Sequence, residues 1–198
     1  MADFGFWFKE GVLHITDFGG YDHMLFLLVL CAPYGIKQLG RLLGLITGFT
    51  LGHSLALALS VLGIVNFAAA WIELGIAITI LVTALMALLQ TRKPEPPNFL
   101  PVFLGISFFG LIHGLGFSTL LKSMLGSQTQ LLWPLLGFNI GLEVGQLLIV
   151  LILLALIFLL ERFARVEPKR QIRVYALIAI FLSMHMAWER LGTILNEW

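Results

Sequence analysis

Charge is scarce in this chain. Asp, Glu, Lys and Arg make up 12% of its 198 residues, against 59% hydrophobic residues and a mean hydropathy of +0.97. A soluble domain is nearer one quarter charged, so a water-soluble globule is excluded. There is one cysteine, Cys31, which excludes an internal disulfide and makes no metal site alone. A phosphate-binding loop is missing, so transport driven by this chain's own ATP hydrolysis is not expected. His-Glu-x-x-His is also missing, which removes the usual mark of a zinc hydrolase. Residues 1–13 hold Asp3, Lys9 and Glu10 among aromatics and lack a basic start and a cleavage pattern, so no cleavable signal peptide is expected. The net charge of +1 gives no lead to a partner, and nucleic acid is not expected.

What the chain has instead is long apolar runs, each near the roughly 20 residues that cross a bilayer. They predict an all-α, polytopic membrane bundle of about six helices in a single domain, 1–198. The spans fall at Tyr21 to about Ile36, Leu39–Val65, Ala69–Gln90, Phe99–Leu125, Leu131–Leu160 and Ile172–Leu195. Residues 1–20, with "FGFWF", read as an aromatic interfacial segment, and 21–195 as the bundle. Breaks fall at "TRKPEPPN" (91–98), "GSQTQ" (126–130) and "ERFARVEPKRQIR" (161–173).

Nine of the twelve Lys and Arg residues lie in or beside loops one, three and five: Lys37, Arg41, Arg92, Lys93, Arg162, Arg165, Lys169, Arg170 and Arg173. Positive loops stay in the cytoplasm. Both termini are therefore expected on the other side of a multi-pass cell membrane.

Ionisable groups inside hydrocarbon are costly and normally face a cavity or each other. His53 ("TGFTLGHSLALAL"), His113 ("FFGLIHGLGFS"), Glu143 ("GFNIGLEVGQ") and His185 ("FLSMHMAWER") all sit within apolar spans. "HITDFGGYDHMLF" adds His14, Asp17, Asp22 and His23 at the mouth of the first span. Imidazole and carboxylate together suit borderline divalent ions: nickel, cobalt, zinc, iron or manganese. Candidate ligands are thus His14, Asp22, His23, His53, His113 and Glu143. Asp17, Asn139, Gln146 and His185 support them, with Asn139, Glu143 and Gln146 on one helical face. Each has an ordinary alternative. His53 can bond a backbone carbonyl, and Gly110, Gly114 and Gly116 can serve only helix packing. His185 can pair with Glu189 four residues on, and Glu73 reads as solvated.

Four blocks in order, "HITDFGGYDHMLFLL", "TGFTLGHSLALAL", "FGLIHGLGFS" and "LLGFNIGLEVGQ", resemble the HupE/UreJ family of hydrogenase- and urease-accessory membrane proteins. The resemblance covers residues 11 to 150. It implies a nickel or cobalt permease of the bacterial inner membrane, not an enzyme. It also implies that His14, Asp22 and His23 form the family's first metal motif, here with a wider gap after His14. A membrane metalloenzyme and a non-transporting metal sensor or assembly subunit remain alternatives. The expected partners are the metal ion and the lipid bilayer; the oligomeric state is left open.

Overall fold

The computed structural model describes residues 4–34, 38–92, 97–126 and 130–196, and every regular element among them is helical. Helix α1 spans Phe4–Thr16 and α2 spans Tyr21–Cys31, separated by a single 3-10 turn at Phe18–Gly20. Then follow α3 (Leu39–Val61), α4 (Ala69–Gln90), α5 (Phe99–Leu125), α6 (Leu132–Arg162) and α7 (Pro168–Asn196). Helices α3 to α7 are long and apolar enough to cross a bilayer, and α2 is a shorter apolar helix. This is the expected all-helical bundle, with α2 as the short first span. The end of that span at Ile36, and parts of two expected breaks (93–96 and 127–129), lie outside the described residues. The second span ends at Val61 rather than Val65, because Gly63 adopts a positive φ of 74° and turns the chain out of the helix.

Small residues set which helices touch. Helices α3 and α5 run side by side in the same direction. Gly44 meets Phe99, Gly48 meets Phe103, and Gly52 meets Ser107. From the other side, Gly110 and Gly114 on α5 seat against the backbone of Phe49 and His53. A Cβ at Gly52 or Gly110 would run into a carbonyl, so these positions let two backbones approach as membrane helices do at small-residue stripes. The close seam seats the backbone of His53 against Gly114, the residue after His113.

The same device holds the N-terminal segment. Gly137, Gly141 and Gly145, spaced every four residues on α6, face Phe4, Phe8 and Ile15 of α1, while Gly11 of α1 faces Phe138. The interfacial segment read from the sequence is therefore a helix docked along the first half of α6. Trp7 and Ile15 are buried there with Phe138 and Leu142.

Between α1 and α2 the chain breaks by local hydrogen bonding. The Thr16 hydroxyl donates to the Val12 carbonyl at 2.8 Å, closing the last turn of α1. Asp17, in extended geometry, accepts from the Gly19 amide at 2.9 Å and caps the 3-10 turn. Asp22 then stands in the first turn of α2, where the helix dipole favours a carboxylate. The break leaves His14, near the end of α1, against His23, at the start of α2, with ring centroids 4.9 Å apart.

The bundle has two distinct ends. At one, Arg41 of α3 donates to the Pro97 carbonyl and lies over the Phe99 ring at the start of α5. Lys169 of α7 lines a cavity there with Gln38 and Thr91. This is the basic end. At the other, Glu73 of α4 pairs with Arg190 of α7 at 2.9 Å.

Candidate metal centre

A cleft of about 650 Å³ opens at the end opposite the basic one and runs inward between α1, α2, α4 and α5. Glu10, Asp17 and Glu73 stand along it with Asp22, His14, His23 and His113. Glu73, read from the sequence as merely solvated, is thus both a lining residue and the partner of Arg190.

His14, His23 and His113 line its floor, and the buried His53 of a fourth helix lies close behind His14 and His23. The His14 and His53 ring centroids lie 6.0 Å apart, His23 and His53 6.2 Å, and His23 and His113 5.0 Å. One ligand atom from each of His14, His23 and His53 lies within 4.8 Å of the others, and the same holds for Asp22, His23 and His113. His23 belongs to both groups. His53 and His113 are fully buried and His23 is 4% exposed.

Hydrogen bonds orient two of these rings. The single hydroxyl hydrogen of Thr79 goes to the Ile76 carbonyl at 2.7 Å. Its oxygen therefore accepts from His113 Nε2, 2.9 Å away, and the proton of that ring sits on Nε2. His113 Nδ1 is left as a lone pair with no partner. Asp22 Oδ1 accepts from both the backbone amide of His23 at 2.8 Å and its Nδ1 at 3.0 Å, which leaves His23 Nε2 unpartnered. A carboxylate or hydroxyl that holds the far nitrogen of an imidazole is the usual outer support of a metal-binding histidine. Both nitrogens of His53 and Nε2 of His14 are also buried without a partner.

Aromatic rings close the site. Phe117 lies tilted against His14 at 4.0 Å and stacks on Phe138 at 4.8 Å, and Phe49 meets His113 at 5.1 Å. The arrangement is an open cleft with a floor of imidazole nitrogens and an acidic approach. Chemically, it can strip and hold a cation.

A family model described as HupE / UreJ protein matches residues 1–190. The chain belongs to the HupE/UreJ family. Comparison with curated proteins and with solved structures gives no match. HupE/UreJ proteins are membrane proteins accessory to metal transport, and the helical architecture above agrees with that class.

Within this HupE/UreJ chain, five of the six candidate ligands read from the sequence come together: His14, Asp22, His23, His53 and His113. His14 joins them because the break after α1 turns its ring inward, despite its wide spacing from Asp22. Glu143 is not brought into either group. Its Oε1 accepts from the Thr47 hydroxyl at 2.8 Å, and Gln146 one turn on accepts from Thr50 at 2.7 Å. The polar face of α6 is thus directed at α3, and the nearest aromatic wall of the site on α6 is Phe138. Asn139 bonds its own helix, donating to the Leu135 carbonyl at 2.8 Å. His185 sits 3.5 Å from Glu189 with both side chains more than half exposed, as the ordinary pairing anticipates.

Thr79 is the residue that reading the sequence missed. Its one signal is a hydroxyl pair, Thr79 and Thr83, at one-turn spacing in the otherwise apolar α4. Thr79→Val is expected to lower metal affinity roughly 10–100-fold, the usual cost of losing such a support, with helix content unchanged. Calorimetric titration with nickel checks it.

Proposed function

We propose that the protein is a permease for a divalent transition-metal ion, with nickel favoured and cobalt, zinc, iron or manganese as further substrates. The observation that carries this reading is the set of five buried imidazole nitrogens without hydrogen-bond partners, on His14, His23, His53 and His113. An unpartnered buried polar atom costs about 1–3 kcal/mol, and natural structures retain few of them. A cation with affinity for neutral nitrogen takes the one lone pair that each neutral ring offers, and so satisfies one nitrogen per histidine. Asp22 supplies negative charge beside them, and Glu10 and Asp17 draw a cation towards the floor. In this reading His14, Asp22, His23, His53 and His113 are the ligands. Glu143 and Gln146 brace α6 against α3, and Asn139 bonds its own helix.

The metalloenzyme and sensor readings lack a comparable observation, whereas an open cleft above a ligand floor suits an ion that must leave again. Purified protein in liposomes holding a nickel-sensitive dye is expected to admit nickel. An ion that remains bound through chelation, with no flux, would favour the alternatives.

The proposed location is the bacterial inner membrane, with the acidic cleft facing outward. Reporter fusions at Arg92 and Lys169 are expected to read as cytoplasmic, because positive loops are retained there, and fusions at the termini as external. Cytoplasmic termini would reverse the direction of the cleft.

A further inference from the structure

A second cavity, of about 350 Å³, opens at the basic end and is lined by Val29 and Leu30 of α2, Thr83 of α4 and Ile106 of α5. The same three helices line the acidic cleft through His23, Ile76 and His113. On each helix the two lining positions are about seven residues apart: His23 to Leu30, Ile76 to Thr83, and His113 to Ile106. At 1.5 Å per residue that is a septum of about 10 Å. The two cavities together therefore cut most of the way through the bundle.

The septum is apolar but for one seam. Phe26, Ile80 and Phe49 fill it, all essentially without exposure. The Phe26 and Phe49 rings lie 4.8 Å apart, and Phe26 meets the His113 ring at 5.4 Å. The seam is on α4. Thr79 touches His113 Nε2 on the cleft side, and Thr83, which lines the second cavity, donates to the Thr79 carbonyl at 2.8 Å. One helical turn thus separates a residue in contact with the ligand cluster from a residue in contact with the opposite cavity.

We propose that the basic-end cavity is the exit half of one permeation path, that the Phe26–Phe49 pair is the barrier closing it, and that Thr79 and Thr83 are the polar steps along which a divalent ion passes. This rests on the permease reading and adds to it the route and the gate. A hydrated divalent ion does not cross about 10 Å of hydrocarbon side chains unaided. The hydroxyl seam offers oxygen contacts on the one wall that links both cavities, and displacement of two phenyl rings opens the rest.

The test uses a Cys31→Ala background, which removes the only cysteine, with Thr83→Cys added and the protein reconstituted in liposomes. A membrane-impermeant thiol reagent applied to the face bearing Arg92 is expected to label this cysteine, and the same reagent from the other face is not. Labelling after reconstitution is expected to cut nickel flux at least tenfold, while nickel affinity at the histidine cluster changes less than threefold. Because the block is installed in folded protein, misfolding does not imitate it. Ile76→Cys, on the other side of the septum, is expected to label from the opposite face only. Failure of Thr83→Cys to label from the basic face, or labelling that leaves flux intact, overturns the path while the permease reading stands. Absence of nickel flux in the unmodified protein overturns both.

Discussion

Replacing His23 with alanine is expected to reduce nickel binding by the purified protein by more than about a hundredfold. Loss of an outer support alone costs 10–100-fold, and His23 is the one residue shared by both ligand groups. The substitution also removes the ring Nδ1 that meets Asp22 Oδ1, leaving that carboxylate only the backbone amide of residue 23. His14→Ala and His53→Ala each touch one group only, so each is expected to cost less. Glu143→Gln is the opposing case. Its carboxylate accepts from Thr47 across the α3–α6 contact, and the amide retains an acceptor oxygen, so affinity is expected to change less than about threefold. Calorimetric titration of the four variants decides it. A larger loss for Glu143→Gln than for His23→Ala would return the site to the middle of α6 and dismantle the cluster.

That contrast marks how far the sequence could be read. Apolar runs located α4 and α5 to the residue, since length and hydropathy are local properties. The histidines were legible as a class because an imidazole in a greasy helix needs a partner. Which of them meet depends on long-range geometry, and that geometry is set by glycines. The stripe Gly44, Gly48, Gly52 on α3 seats the helix of His53 against that of His113, and Gly137, Gly141, Gly145 on α6 holds α1 so that His14 reaches the floor. A periodic glycine marks a close contact without naming the partner helix. The spacing of Asn139, Glu143 and Gln146 correctly put three polar groups on one face, but which helix that face meets lay beyond any pattern within α6. Thr79 was invisible for a different reason: a threonine in a membrane helix usually bonds its own backbone, as Thr79 does at Ile76, and only its remaining lone pair serves His113.

His53→Leu is expected to raise the stability of the metal-free protein while weakening its response to nickel. The His53 ring is fully buried and neither nitrogen has a partner. Each such atom costs about 1–3 kcal/mol, so leucine, close in size and without polar atoms, is expected to stabilise the empty site by about 2 kcal/mol or more. The neighbours are already apolar: the rings of Phe49 and Phe138 lie 6.2 and 6.4 Å from the His53 ring. With nickel at a hundredfold over its dissociation constant, the natural protein gains about 2.7 kcal/mol, and the variant, with one ring fewer, gains less. Thermal melts in detergent, with and without nickel, are therefore expected to cross, with the variant ahead in chelator and the natural protein catching up or passing it in nickel. A variant that melts below the natural protein in chelator would mean that the His53 nitrogens are already satisfied without an ion. The expected crossing follows from a site kept polar and unpaired among apolar side chains, at a cost in stability of the kind proteins tolerate where function requires it.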